Sequence, residues 1–117
     1  MKRVLFLVRT APYGSAAIPE SVRSCMGFGT MPFHISYVLM DDAAWAVVPG
    51  QQPQAIHGND ALQLVQSLAD LDIDLLVEEH ALNERGLSVD GLDPAIRPVS
   101  QQEIAELIAQ ADMVMTY

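Results

Sequence analysis

The chain has 117 residues, half of them hydrophobic, which suffices for one domain with its own core over residues 1–117 and excludes a disordered protein. Its 15 acidic and 6 basic side chains give a formal net charge of −9, which disfavours direct contact with nucleic acid and with anionic membranes. The single cysteine cannot form an internal disulfide, the first apolar run is too short for a secretory signal, and no run reaches the ~18 residues of a membrane span, so we expect a cytoplasmic protein.

The first predicted element is a strand over residues 4–8, which are apolar without alternation. This pattern is typical of a parallel strand covered by helices on both faces. After the turn of residues 10–15 we expect a helix, because Pro19 suits a first helical turn, and we expect Gly27 and Gly29 to end it. The apolar face of this helix consists of Ile18, Val22, Cys25 and Met26.

A second strand is predicted over residues 33–40, which are rich in aromatic and β-branched side chains. The acidic pair Asp41 and Asp42 follows directly and gives this strand a charged end. Residues 43–48 then predict a short helix or helical turn that ends at Pro49.

The third helix and the third strand come next. Asn59 or Asp60 can cap the helix, and the strand covers residues 75–77. The apolar face of the helix consists of Leu64, Val65, Leu68 and Leu71. The strand ends in the polar residues Glu78, Glu79 and His80.

The last part of the chain predicts two helices and two strands. Residues 81–86 form a short helix that ends at Gly86, and Ile96–Val99 form a strand that Pro98 restricts to an edge or a short piece. Residues 112–117 form the final strand. Before it comes a helix with the capping-box pair Ser100 and Glu103 and the apolar face Ile104, Leu107, Ile108 and Ala111.

Strands that alternate with helices predict an α/β fold, specifically a three-layer αβα arrangement with a mostly parallel sheet of about five strands. In such a sheet the functional cleft lies outside the carboxyl ends of the strands, so the segments that follow the strands should converge there. The candidate cleft or assembly residues are Pro12, Tyr13, Gly14, Asp41, Asp42, Trp45, Glu78 and His80.

The sequence predicts no cofactor and no metal. It lacks the glycine-rich patterns that bind dinucleotides or nucleotide phosphates. The acidic strand ends contain enough donors for a divalent ion, but nothing in the sequence fixes their geometry, and acidic residues often only solvate loop ends. His80 could act as a general base, yet no Ser or Cys nucleophile lies beside it, so a surface role is expected.

Two further residues allow more than one interpretation. Cys25 lies on the apolar face of the first helix, which favours a small buried hydrophobe with a raised pKa over a reactive thiolate. It is still the only sulfur nucleophile available. Trp45 lies in an apolar stretch and could pack inside the protein or face a partner subunit.

Four stretches in order along nearly the whole chain form a recognisable set: the turn Ala-Pro-Tyr-Gly at residues 11–14, LMDDAAWAVVPGQQP at 39–53, Glu-Arg-Gly-Leu at 84–87, and the apolar C-terminal strand that ends in an aromatic residue. Together they resemble the DsrE/DsrF-like sulfur-relay family, and most closely its DsrF/TusC branch. The resemblance implies a compact α/β subunit of a hexamer or of a mixed complex that carries persulfide sulfur between proteins.

The resemblance also implies a position for the relay thiol. Catalytic family members have a cysteine shortly before the short helix with the Arg-Gly motif, and this position falls at or near Glu78, whereas no cysteine occurs from Met26 to Tyr117. Persulfide transfer needs a thiolate, which a carboxylate cannot replace. We therefore expect a non-catalytic subunit of a sulfur-relay complex, in tRNA thiolation or sulfur oxidation.

The expected partners are copies of this chain or related DsrE/F-like subunits and, through the complex, sulfur-carrier proteins. Two alternatives stay open at this point. One is an active sulfurtransferase that uses Cys25, and the other is an oligomeric protein that binds a small ligand or a metal at the acidic strand ends, with or without His80.

Overall fold

The computed structural model describes residues 1–51 and 60–117, in which strands and helices alternate. The strands are β1 (Lys2–Val8), β2 (Phe33–Leu39), β3 (Asp74–Glu78), β4 (Ile96–Val99) and β5 (Met113–Thr116). The α-helices are α1 (Ala17–Gly29), α2 (Ala61–Gln66), α3 (Glu79–Glu84) and α4 (Gln101–Gln110), and two 3₁₀ helices cover Asp41–Val47 and Ser67–Leu71. Within these residues, no helix has the length and the apolar character that crossing a bilayer requires.

The five strands form one parallel sheet in the order β4-β3-β2-β1-β5. This confirms the predicted α/β fold, and β4, with Pro98, lies at an edge. From β1 to β4 the chain adds each strand on the same side of the previous one, whereas the connection from β4 to β5 runs back across the sheet. Because crossovers keep a right hand, the helix of this last connection must lie on the opposite face.

The two faces of the sheet carry separate apolar cores. The larger core lies on the face covered by α1, α2, α3 and both 3₁₀ helices, and Phe6, Tyr37 and Val77 belong to it. The smaller core lies under α4, where Ile104 packs with Leu5 and Val38. Helices therefore cover both faces, as predicted, but unequally, because α4 is the only helix of the described residues in the smaller core.

Three local signals in the sequence are confirmed at helix ends. Asp60 caps α2, where its Oδ1 accepts from the amide nitrogens of Leu62 at 3.0 Å and Gln63 at 3.3 Å. Ser100 caps α4 by accepting from Glu103 N at 3.1 Å. Gly86 follows α3 with φ +68°, a conformation that glycine adopts without strain. Pro53, which ends one of the stretches that carry the resemblance, and Asn59, the other candidate cap of α2, lie outside the described residues.

Several details of the helices differ from the prediction. Helix α1 passes through Gly27 and ends at Gly29, the second of the two glycines expected to end it, where an added Cβ would be 3.4 Å from Leu71 Cδ1. Burial of neighbouring side chains outweighs the roughly 1 kcal/mol by which glycine disfavours a helix. Met26, Leu71 and Ile108 are exposed, although each was assigned to an apolar helix face. Helical periodicity identifies a face but not how far the neighbouring layer extends over it.

A buried polar pair connects α1 to β2. The Ser21 hydroxyl donates to Ile18 O at 2.8 Å, which leaves its oxygen to accept from the Tyr37 hydroxyl at 2.7 Å. Both residues are fully buried, and burial raises the pKa of Tyr37. The pair thus fixes the rotation of α1 over the sheet by a directional contact inside an apolar core.

This pair yields a prediction about stability. Ser21→Ala leaves the buried Tyr37 hydroxyl without an acceptor and should lower the free energy of unfolding by about 1–3 kcal/mol. Tyr37→Phe removes that hydroxyl and leaves Ser21 bonded to Ile18, so it should cost only about 0.5–1.5 kcal/mol. Urea unfolding of both variants checks the order, and a Tyr37→Phe protein that is the less stable of the two would contradict it.

Candidate functional site

Glu78 lies at the carboxyl edge of the sheet, where β3 ends, and only 3% of its surface is exposed. Its Oε1 accepts from the backbone nitrogen of Asp41 at 3.2 Å, and its Oε2 accepts from Gln101 Nε2 at 3.1 Å. The carboxylate therefore joins the end of β3 to the start of the first 3₁₀ helix and to the first turn of α4.

The acidic pair that follows β2 is bound by arginines. Arg9 Nε donates to Asp41 Oδ2 at 2.9 Å, and Arg85 Nη2 donates to Asp42 Oδ1 at 2.8 Å, while Arg85 Nη1 donates to Ala81 O at 3.1 Å. These hydrogen bonds raise the pKa of both guanidinium groups, so the arginines stay charged. The charges at this end of β2 are thus balanced within the chain.

The other candidate cleft residues lie apart from this contact network. The His80 ring binds Glu84, with Nε2 at 2.7 Å from Oε1, and both side chains are exposed. Tyr13 accepts from Ala61 N at 3.2 Å through its hydroxyl and so orients the start of α2. Pro12 is buried beside it, Gly14 has φ +90°, and Trp45 is 40% exposed on the first 3₁₀ helix. The structure brings Asp41 and Glu78 together, and a functional role for any of the eight residues stays a prediction.

The acidic strand ends do not gather around a common point. In residues 1–51 and 60–117, no three His, Cys, Asp or Glu side chains come close enough together to hold a metal ion. Asp41 instead binds Arg9, and Asp42 binds Arg85, so the two carboxylates do not face a common ion. In the described part of the chain, this edge favours hydrogen bonding over metal coordination.

A groove beside Glu78 was missed by sequence reasoning. It holds about 240 Å³ and is lined by Met40, Glu78, Gln101, Ile104, Ala105 and Ile108. We call it the Glu78 groove. Gln101 directly follows the cap of α4, just after β4. Inspecting the residues that follow the carboxyl end of the fourth strand, as was done for the first three, would have identified Gln101 as a cleft residue.

Cys25 is fully buried on α1 within the larger core. Burial raises the pKa of its thiol to about 12. It lies eight residues after Ala17, about 12 Å along a helix that starts near the carboxyl edge and runs away from it. Cys25 thus has the environment of a packing residue rather than that of an accessible nucleophile.

Comparison with known protein families assigns the class. The chain belongs to the DsrE/DsrF-like family, whose model matches residues 2–117. It is 26% identical over 114 residues to the "Protein TusC homolog" of Pseudomonas aeruginosa, covering 97% of this chain and 96% of that protein. It is also 26% identical over 121 residues to "Protein TusC" of Escherichia coli K12, covering both in full.

These relatives confirm the expected likeness to the DsrF/TusC branch. Among solved structures, the ychN protein from Escherichia coli superposes with a TM-score of 0.87 at 24% identity over the whole of both chains. At this identity the likeness extends to the fold alone.

The buried thiol yields a prediction about reactivity. A pKa of about 12 lowers the thiolate fraction near neutral pH roughly a thousandfold relative to an ordinary cysteine. Labelling of Cys25 by a thiol-reactive disulfide reagent at about pH 8 should therefore be at least about a hundredfold slower in the native protein than in urea. The Cys25→Ser protein gives the background, and equal rates in the native and unfolded chain would contradict the buried environment.

Proposed function

We propose that this chain is a non-catalytic subunit of a DsrE/F-like sulfur-relay complex and supports persulfide transfer by a partner subunit. One observation carries the proposal. Glu78 lies at or near the position that the family resemblance assigns to the relay thiol, and the only cysteine is buried elsewhere, on α1.

The chemistry of transfer supports this interpretation. An acceptor thiolate attacks the outer sulfur of a persulfide, forms a new S–S bond, and releases the donor thiolate as the old S–S bond breaks. A carboxylate forms no stable bond to sulfane sulfur, and both oxygens of Glu78 already accept hydrogen bonds. Cys25 could take part only if α1 opened. The transferable sulfur would therefore travel on a thiol of another subunit.

The proposed partners are related DsrE/F-like subunits that carry the relay thiol, and sulfur-carrier proteins that dock on the assembled complex. Exposed apolar side chains support an assembly role, since Trp45, Ile108, Met113 and Val114 are each at least 40% exposed. The pathway that the complex serves is either tRNA thiolation or sulfur oxidation. The net charge of −9 suggests that another component contacts RNA.

The proposal predicts a complex in which this chain is necessary but its cysteine is not. A tagged chain purified from its own organism should co-elute in size exclusion with at least one thiol-bearing relative. Incubation of the complex with a persulfide donor should add a labile sulfur to the relative's cysteine, as seen by mass spectrometry. The Cys25→Ala protein should support the same transfer, because it changes only a buried packing residue.

Two outcomes would contradict this function. A strictly monomeric chain at micromolar concentration, with no thiol-bearing relative bound, would exclude the complex. A labile sulfur on Cys25 of the purified chain alone, lost in the Cys25→Ala protein, would instead revive the active sulfurtransferase.

A further inference from the structure

Among the residues that the structure describes, no cationic side chain forms an ion pair with the carboxylate of Glu78. The sequence contains six lysine and arginine residues, all within the described ranges: Lys2, Arg3, Arg9, Arg23, Arg85 and Arg97. None of them forms an ion pair with Glu78. The hydrogen bond from Arg9 Nε to Asp41 is the main cause that raises the pKa of Arg9, and the nearby Glu78 adds to it without forming an ion pair.

An unpaired buried charge is unusual. Carboxylates that lose their water are normally paired with a cation or bonded by several donors. Glu78 is 3% exposed, and from the described residues it accepts two hydrogen bonds of neutral donors, the Asp41 amide at 3.2 Å and the Gln101 side chain at 3.1 Å. An ionised carboxylate offers about four acceptor positions, so Glu78 can still accept from a donor that enters its groove.

The walls of the Glu78 groove are apolar. Met40, Ile104, Ala105 and Ile108 line it, and Ile108 is 44% exposed at its outer rim. A long side chain with an aliphatic stem and a charged head matches a groove with apolar walls and a carboxylate at its base, because each part meets a surface of its own kind. Lysine and arginine are the side chains with this construction.

We propose that the Glu78 groove docks a lysine or arginine side chain of a partner protein. The stem lies against Ile104 and Ile108, and the cationic head binds the carboxylate of Glu78. The net charge of −9 favours a partner with a basic surface, and the exposed rim at Ile108 requires a surface broad enough to cover it. The inference does not depend on the partner being a sulfur carrier.

The experiment uses small analogues of the two side chains on the purified full-length protein. Butylammonium and butylguanidinium ions are titrated separately, with neutral butanol as the comparison, and the methyl signals of Ile104 and Ile108 are followed by NMR. We expect both cations to shift these signals saturably at concentrations at least about tenfold below those that butanol requires.

Two matched variants test whether the preference for cations over butanol comes from Glu78. Glu78→Gln keeps the shape of the side chain and an oxygen that can accept from Asp41 N, so the fold should survive, while the preference for cations over butanol should disappear. Glu106→Gln removes the same charge from an exposed position on α4 and should leave the preference unchanged.

Three results would overturn the proposal. They are equal responses to cations and butanol, a cation preference that survives in Glu78→Gln, and methyl shifts that depend on protein concentration but not on Glu78. The last would mean that an apolar contact between copies covers the groove. Because the titration needs no partner, it can succeed while the proposed sulfur-relay complex fails to form, or the reverse.

Discussion

The buried carboxylate of Glu78 holds the carboxyl edge of this sheet together. It accepts from Asp41 N and from Gln101 Nε2, so the end of β3, the turn after β2 and the start of α4 meet at one charged group. A buried charge is tolerated only where donors replace its lost water. This requirement fits the left-handed backbone of Asp41, with φ +49°, a conformation that aspartate tolerates better than most residues.

The order of the strands explains why a groove exists beside that carboxylate. The connections from β1 to β4 all advance in one direction and place their helices on the same face, whereas the single return from β4 to β5 places α4 on the other. One helix of ten residues covers less of a five-stranded sheet than several helices do. Along the flank of α4, Met40 and Ile108 therefore stay partly open to solvent beside Glu78.

The sequence was sufficient for features that depend on neighbours along the chain. Strand β1, the cap at Ser100 and the end at Gly86 follow from apolar runs and turn chemistry within a few residues. The pairing of Arg9 with Asp41 could not be read this way, because it depends on the register that sets Val8 beside Leu39 and so brings together the segments that follow the two strands. The Glu78 groove likewise needs three elements to be placed before it exists.

Under the proposed function, the position at the end of β3 serves two kinds of chemistry in related subunits. A thiol there would exchange sulfur with a passing persulfide, since a thiolate both attacks the outer sulfur and leaves again. A carboxylate held by Asp41 and Gln101 cannot exchange sulfur in this way, but it offers hydrogen-bond acceptors beside apolar side chains. Under the proposed role, this subunit and its thiol-bearing relative would use equivalent edges of the sheet for different tasks. This subunit would bind a partner protein there, and the relative would receive sulfur on its thiol.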